Sequence, residues 1–326
     1  MKKWIVVLSL LLVAQLGLAF TLGLTGERYS AFEPKEKLLA FEAQAVDGLH
    51  IESAEAKLLL SKREGRWVLP ESGDFPADQG AVKRLLDKLA ALQKGWPLAT
   101  TTGAARHFKV TDDAFERKLT LLSGEKTEAT LYVGTSPGFR KVHVRPADGD
   151  EVYAVAFNTW EANPKADDWI DKEILKLDEK RVKRIEMPGF ILQREGESLQ
   201  LSDLAEQEQS NGEAVRKLVD RLAGLRIDSL LGREAKPEFQ QENPVLEIKL
   251  TRDDDELLSY RFSKPETGGY YVLKRSDLDT YFKVAEFAVN PLKEETREKL
   301  VQLKSEEKPD LTAGDGTTAK PSDTGG

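Results

Sequence analysis

Cysteine is absent from the 326-residue chain, which removes disulfide frameworks, thiolate metal sites and cysteine nucleophiles in one step. Histidine is nearly as scarce. His50, His107 and His143 are the three present, each isolated in sequence, so no metal-ligand spacing can be composed from them. The H-E-x-x-H pair and the glycine-rich phosphate loop with its lysine are missing, and no Ser/His/Asp constellation is expected. A basic excess is missing too: 48 Lys and Arg stand against 56 Asp and Glu, a net charge of −8. That balance argues against a nucleic-acid partner, whose phosphates need a basic face. After the first segment there is no further apolar run of membrane-spanning length.

The first segment is the exception. Met1-Lys2-Lys3 precedes residues 4–24, WIVVLSLLLVAQLGLAFTLGL, which carry no charge. At 1.5 Å per residue such a helix reaches the roughly 30 Å of a hydrocarbon core. Lysines before it favour a cytoplasmic N-terminus and an exported body. Residues 1–26 are therefore expected to be a signal anchor in a bacterial inner membrane, with the body in the periplasm. Gly17 and Ala19 leave open the alternative of a cleaved signal peptide ending near Ala19.

With 40% hydrophobic and 32% charged residues, the body has the composition of a globular protein with room for two domains. It also repeats itself. Residues 81–93, AVKRLLDKLAALQ, return as 214–226, AVRKLVDRLAGLR, identical at seven of thirteen positions. In the first copy Val82, Leu85, Leu86, Leu89 and Leu92 make one apolar stripe at helical period, and Val215, Leu218, Val219, Leu222 and Leu225 restate it. Hairpins turning at Arg63-Glu64-Gly65 and Arg194-Glu195-Gly196 precede the helices at a similar offset, and four short strand patterns follow each helix. The expected fold class is α+β: two tandem duplicated units, each β-β-α-β-β-β-β, with one amphipathic helix on an antiparallel sheet. The expected boundaries are a linker over 27–45, a first unit over 46–177, a second over 178–304 and a disordered tail over 305–326.

Several phrases carry a family resemblance: Gly65-Arg66-Trp67-Val68-Leu69, the AVKRLLDKLAALQ helix, Leu131-Tyr132-Val133-Gly134, Val152-Tyr153-Ala154-Val155, and Trp169-Ile170-Asp171-Lys172-Glu173-Ile174-Leu175. With the N-terminal anchor, the set resembles the DUF4340 family of bacterial envelope proteins of unknown function. The resemblance implies an extracytoplasmic accessory protein, in some cases associated with an ABC transporter, and brings no catalytic residues with it.

Few positions invite a functional reading. Asp167, Asp168 and Asp171 flank Trp169, a grouping expected to mark a helix N-terminus whose dipole the acids complement. A carbohydrate platform of tryptophan and acids is the alternative. Trp160, just after a strand, is a candidate for exposure, whereas Trp67 is expected to be buried and His143 to sit on a strand's solvent face. Interaction candidates are thus Trp160, Asp167, Asp168 and Trp169, with no catalytic residue, metal or cofactor expected. The expected activity is non-enzymatic binding of a protein partner in the cell envelope. The alternatives are an envelope hydrolase using a carboxylate pair with a raised carboxyl pKa, or a glycan or small-molecule module in a groove between repeats.

Overall fold

A computed structural model describes residues 12, 13, 15, 36–138 and 140–304. The expected tail and nearly all of the expected anchor lie outside these residues. Among the described residues no helix is long and apolar enough to cross a membrane. Contacts divide the chain into two compact units that exchange after Ile174, with the short segment Asp228–Gly232 grouped in the first.

The first unit is built on β1 (Gly48–Glu52), β2 (Lys57–Arg63), β3 (Arg66–Leu69) and β4 (Phe75–Pro76), followed by a helix over Gln79–Ala91 and a short one over Thr102–His107. A two-stranded ribbon, β5 (Val110–Thr111) with β6 (Ala114–Phe115), leads into β7 (Arg117–Ser123), β8 (Lys126–Val133), β9 (Val142–Pro146) and β10 (Tyr153–Val155). The main sheet has the order β10-β9-β8-β7-β1-β2-β3-β4, and its described pairings are antiparallel. Alternation explains which face is covered. Leu49 and Ile51 on β1, with Leu119 and Leu121 on β7, point the same way and are almost wholly buried.

The second unit contains β11 (Val182–Met187), β12 (Phe190–Glu195), β13 (Ser198–Leu201) and β14 (Glu208–Ser210), a helix over Gly212–Ala223, then, past β15 (Ser229–Gly232), β16 (Leu246–Arg252), β17 (Leu257–Ser263), β18 (Tyr270–Arg275) and β19 (Tyr281–Ala285). Helices over Glu286–Lys293 and Arg297–Leu300 and a last strand, β20 (Val301–Leu303), complete it. Seven strands run in the order β19-β18-β17-β16-β11-β12-β13. Counted from the helix outward, this is the strand order of the first unit. The fold is therefore mixed α+β, with predominantly antiparallel sheets and few helices.

Two expectations need correction. Each unit has three long strands before its helix, not two, because β1 and β11 sit at the centre of their sheets beside β7 and β16. The strand pattern of β11 is concealed by a β-bulge between Val182 and Arg184. The extra residue places Val182 and Ile185, three apart, both among the buried core. The shared Arg-Glu-Gly tripeptides are also not equivalent. In the first hairpin Arg63 pairs with Arg66, and Glu64 and Gly65 form the loop with φ of 50° and 82°. In the second, Glu195 pairs with Ser198, so the loop is Gly196-Glu197, with Gly196 at φ 62°. The turn has moved one residue along the sequence motif.

The helices behave as their stripes require. Val82, Leu85, Leu86 and Leu89 are buried in one, Val215, Leu218, Val219 and Leu222 in the other, each burial contributing about 1.5–3 kcal/mol. Their N-caps also correspond: Asp78 accepts from the Ala81 N–H at 2.9 Å, Asn211 from the Ala214 N–H at 3.2 Å.

Candidate functional site

Trp160 and Trp169 separate completely. Trp160, in a 3-10 turn over Thr159–Ala162, is 74% exposed. Trp169 is buried, its indole N–H donating to the Asn163 carbonyl at 2.7 Å, while the Asn163 amide donates to the Asp168 carboxylate. Trp169 thus offers no open face for a sugar. The expected helix N-terminus is absent as well: Asp167 and Asp168 lie in a 3-10 turn over Ala166–Asp168, after which the chain is drawn out beside β4. The Asp78 N–H donates to the Trp169 carbonyl at 2.7 Å and the Asp171 N–H to the Pro76 carbonyl at 2.9 Å, flanking an Ala77–Ile170 bridge. Those bonds hold the segment extended, so no helix forms. Its resemblance phrase is an edge seal for the first sheet.

His143 is buried, not on a solvent face. Its ring lies 4.2 Å from that of Phe108 and its Nδ1 is 2.9 Å from the Thr135 hydroxyl. Burial holds its pKa below the usual histidine value, and burial lowers that of His50 as well. A base with a depressed folded-state pKa stabilises the fold above its unfolded value of about 6.5, and that contribution is lost as pH falls through the folded value. Melting temperature should therefore drop between pH 7.5 and 5.5. His143→Gln, which keeps a partner for Thr135, should reduce the drop without removing it, since His50 remains. An unchanged pH dependence in the variant would contradict this.

Residues 134–138, Gly-Thr-Ser-Pro-Gly, have the lettering of a G-x-S-x-G nucleophile elbow, a serine signature set against the expectation of no Ser/His/Asp constellation. The structural context differs. An elbow joins a strand to a helix with its serine exposed, whereas this segment leaves β8 for a turn. Ser136 donates its hydroxyl toward the Gly138 and Lys141 carbonyls at 2.7 and 2.6 Å.

The distinctive geometry lies at the outer edges of the two sheets. Trp67 on β3 turns its peptide groups away from β2. Its N–H donates to the Gln79 side-chain oxygen at 2.8 Å, and its carbonyl accepts from the Gln79 side-chain amide at 2.9 Å and from the Ala77 N–H at 2.9 Å. The Gln79 amide thus acts as a piece of strand, and with β4 and Trp169–Asp171 it closes the edge.

In the second unit the position matching Trp67, second from the hairpin turn, is Leu199, which pairs with Arg194. The Ser202 N–H donates inward to the Ile191 carbonyl, so alternation turns the peptide groups of Leu199 and Leu201 outward. The Leu201 N–H is taken by the Ser210 hydroxyl at 2.8 Å. Among the described residues nothing comparable bonds to the peptide groups of Leu199, whose side chain is buried, because β14 pairs instead with β20 and the residue in register with Gln79 is Gly212. A cleft of about 640 Å³ opens there, lined by Leu199, Ser210, Gly212, Val215 and Val219, with Glu179, Lys180, Arg194, Glu197 and Arg216 among its charged residues.

Within the cleft, Arg194 donates to the carbonyls of Val182, Glu197 and Glu179. The Glu179 carboxyl is raised above the usual range, first by burial and then by the charge of Asp220 on the helix, with which it shares a hydrogen bond. In the first unit the acid at the corresponding helix position, Asp87, is paired instead with Lys83. Among the described residues no cluster of His, Asp and Glu is arranged to hold a metal ion. None of these cleft residues was expected to be functional; Val215 and Val219 were read as part of an apolar stripe and Arg194 as part of a hairpin turn. The repeated segment was recognised only from Ala81 and Ala214 onward, two residues past the Gln79/Gly212 difference that would have flagged it.

Residues 67–244, more than half of the chain, match a family model described as a domain of unknown function, DUF4340. No curated protein and no solved structure matches the chain.

Proposed function

The chain belongs to the DUF4340 family, and we propose that it is a binding protein that captures an extended segment of a partner polypeptide by adding it as a strand to β13. The observation that carries this reading is the peptide edge at Leu199, unpaired among the described residues and set in a cleft against the Gly212–Ala223 helix. An unpaired strand edge is a template for another chain, and proteins ordinarily cover it. The first unit covers its own. The two units are taken as duplicates of one module, supported by the common strand order and the repeated helix, with the second copy released from sealing its edge.

The proposed setting is the bacterial envelope. The apolar run at residues 4–24 would tether the body beside the inner membrane and raise its effective concentration toward a membrane-complex partner. A photo-crosslinking residue at Gln200, in the cleft, should trap a partner protein in intact membranes, whereas one at exposed Lys126 on β8 should not. Equal trapping at both positions, or none at Gln200, would refute the proposal.

One observation favours a second reading. The Glu179–Asp220 pair joins acids from separate segments, with a raised carboxyl, as a carboxylate-pair hydrolase requires. Turnover of an envelope polymer by the purified chain, abolished in Glu179→Gln, would establish it in place of the first.

A further inference from the structure

Taking the β13 edge as the binding site, we infer that its occupant is an acidic extended peptide, and that Gly212 is the residue that keeps its place open. The first unit supplies the template. There the side-chain amide of Gln79 offers one N–H and one C=O to the backbone of Trp67, which is what one peptide unit of an added strand would offer to Leu199. At Gly212 a Cβ would meet nothing within 4 Å, so the space that the glutamine occupies in one unit is free in the other. Ser198–Gln200 gives an edge of about 10 Å at 3.4 Å per residue, so the peptide chain is gripped over a short stretch and its side chains must contribute.

Charge indicates which side chains. Lys180 and Arg216 are exposed at the cleft and have no carboxylate partner among the described residues. The hydrogen bonds of Arg194 among the described residues go to carbonyls, and its charge acts on the neighbouring Glu179 carboxyl. Of the acids nearby, Glu208 is engaged by Arg297 and Glu213 by Lys217. Glu179 and Glu197 remain in the lining. Three cations, Lys180, Arg194 and Arg216, against two acids, Glu179 and Glu197, give the lining a cationic excess that suits a peptide whose carboxylates flank the residue opposite Leu199.

Fluorescein-labelled octapeptides of alternating valine and glutamate, glutamine or lysine test this by anisotropy against the full-length chain in detergent. The glutamate peptide should bind about tenfold or more tightly than the lysine peptide, the gap narrowing with added salt. Lys180→Glu/Arg216→Glu should invert the order. Gly212→Gln should weaken every peptide by tenfold or more while raising the melting temperature, because its amide can reach Leu199 from within the chain. Equal binding of the three peptides with loss in Gly212→Gln would overturn the charge preference and leave the edge site standing. Binding unaffected by Gly212→Gln, or no binding by any peptide, would overturn the edge site as well.

Discussion

Gly134→Ala is expected to destabilise the first unit by about 3 kcal/mol, toward the upper end of overpacking penalties, and to lower its melting temperature by roughly 10 °C. A Cβ built at Gly134 would lie 2.0 Å from the Phe108 carbonyl oxygen and 2.5 Å from that of Lys109. Both are backbone atoms, so a rotamer change cannot relieve the clash. The strand end must move, and two bonds move with it: the Gly134 N–H to the His143 carbonyl and the Thr135 N–H to the Phe108 carbonyl, each 2.9 Å. The displaced segment carries the stacking of Phe108 on His143. Gly103→Ala is the control, since a Cβ there meets nothing within 4 Å and the residue lies in a helix, where alanine is favoured by up to about 1 kcal/mol. Calorimetry should show the two variants shifting in opposite directions. A Gly134→Ala protein melting with the wild type would mean that Phe108–Lys109 does not press on β8.

The same glycine illustrates how much of the fold was legible. Leu131-Tyr132-Val133-Gly134 reads as a strand and its end because its letters alternate and then break. That the break is a close backbone approach is invisible, since Phe108 lies 26 positions earlier and belongs to another element. Elements with one-sided packing declared themselves: both amphipathic helices, and β16, β17 and β19 with their largely alternating burial. β11 did not, because the bulge broke its period. His143 was misjudged because periodicity distinguishes the faces of a strand without saying what lies over each, and Phe108 covers the one expected to be wet. Trp169 failed for a related reason. Its neighbouring acids suggested a helix cap, but hydrogen bonds to Pro76 and Asp78, some ninety residues earlier, keep that stretch extended. The cleft was least legible, since it arises from a missing side chain. A glycine where the other unit has glutamine is a signal only after the two units are aligned to the residue, and the displaced hairpin turn obscured that register.

Asp277→Ala is expected to cost the second unit about 3 kcal/mol, more than the replacement of the cation it serves. Arg275 on β18 is one of few buried charged residues, its side chain 8% exposed. Its guanidinium donates to both Asp277 oxygens at 2.7 and 3.0 Å, to the Leu175 carbonyl at 3.2 Å and to the Tyr260 hydroxyl at 3.3 Å, with the fully buried Tyr260 ring 5.6 Å away. Removing the carboxylate strands a desolvated cation, and this loss ranges over about 3–5 kcal/mol for buried pairs. The lower end applies here because Asp277 keeps 31% of its side-chain surface in water. Arg275→Met removes the charge itself and fills much of its volume with apolar atoms, so its cost should be smaller, at about 1–2 kcal/mol for the hydrogen bonds lost at Leu175 and Tyr260. In the double variant no stranded charge remains, and its stability should match that of Arg275→Met alone. Urea denaturation of the four proteins gives the coupling directly. A coupling below about 0.5 kcal/mol would mean that Asp277 is a solvated acid near an arginine held by Tyr260 and Leu175, and that the ordering of β18 does not depend on the ion pair.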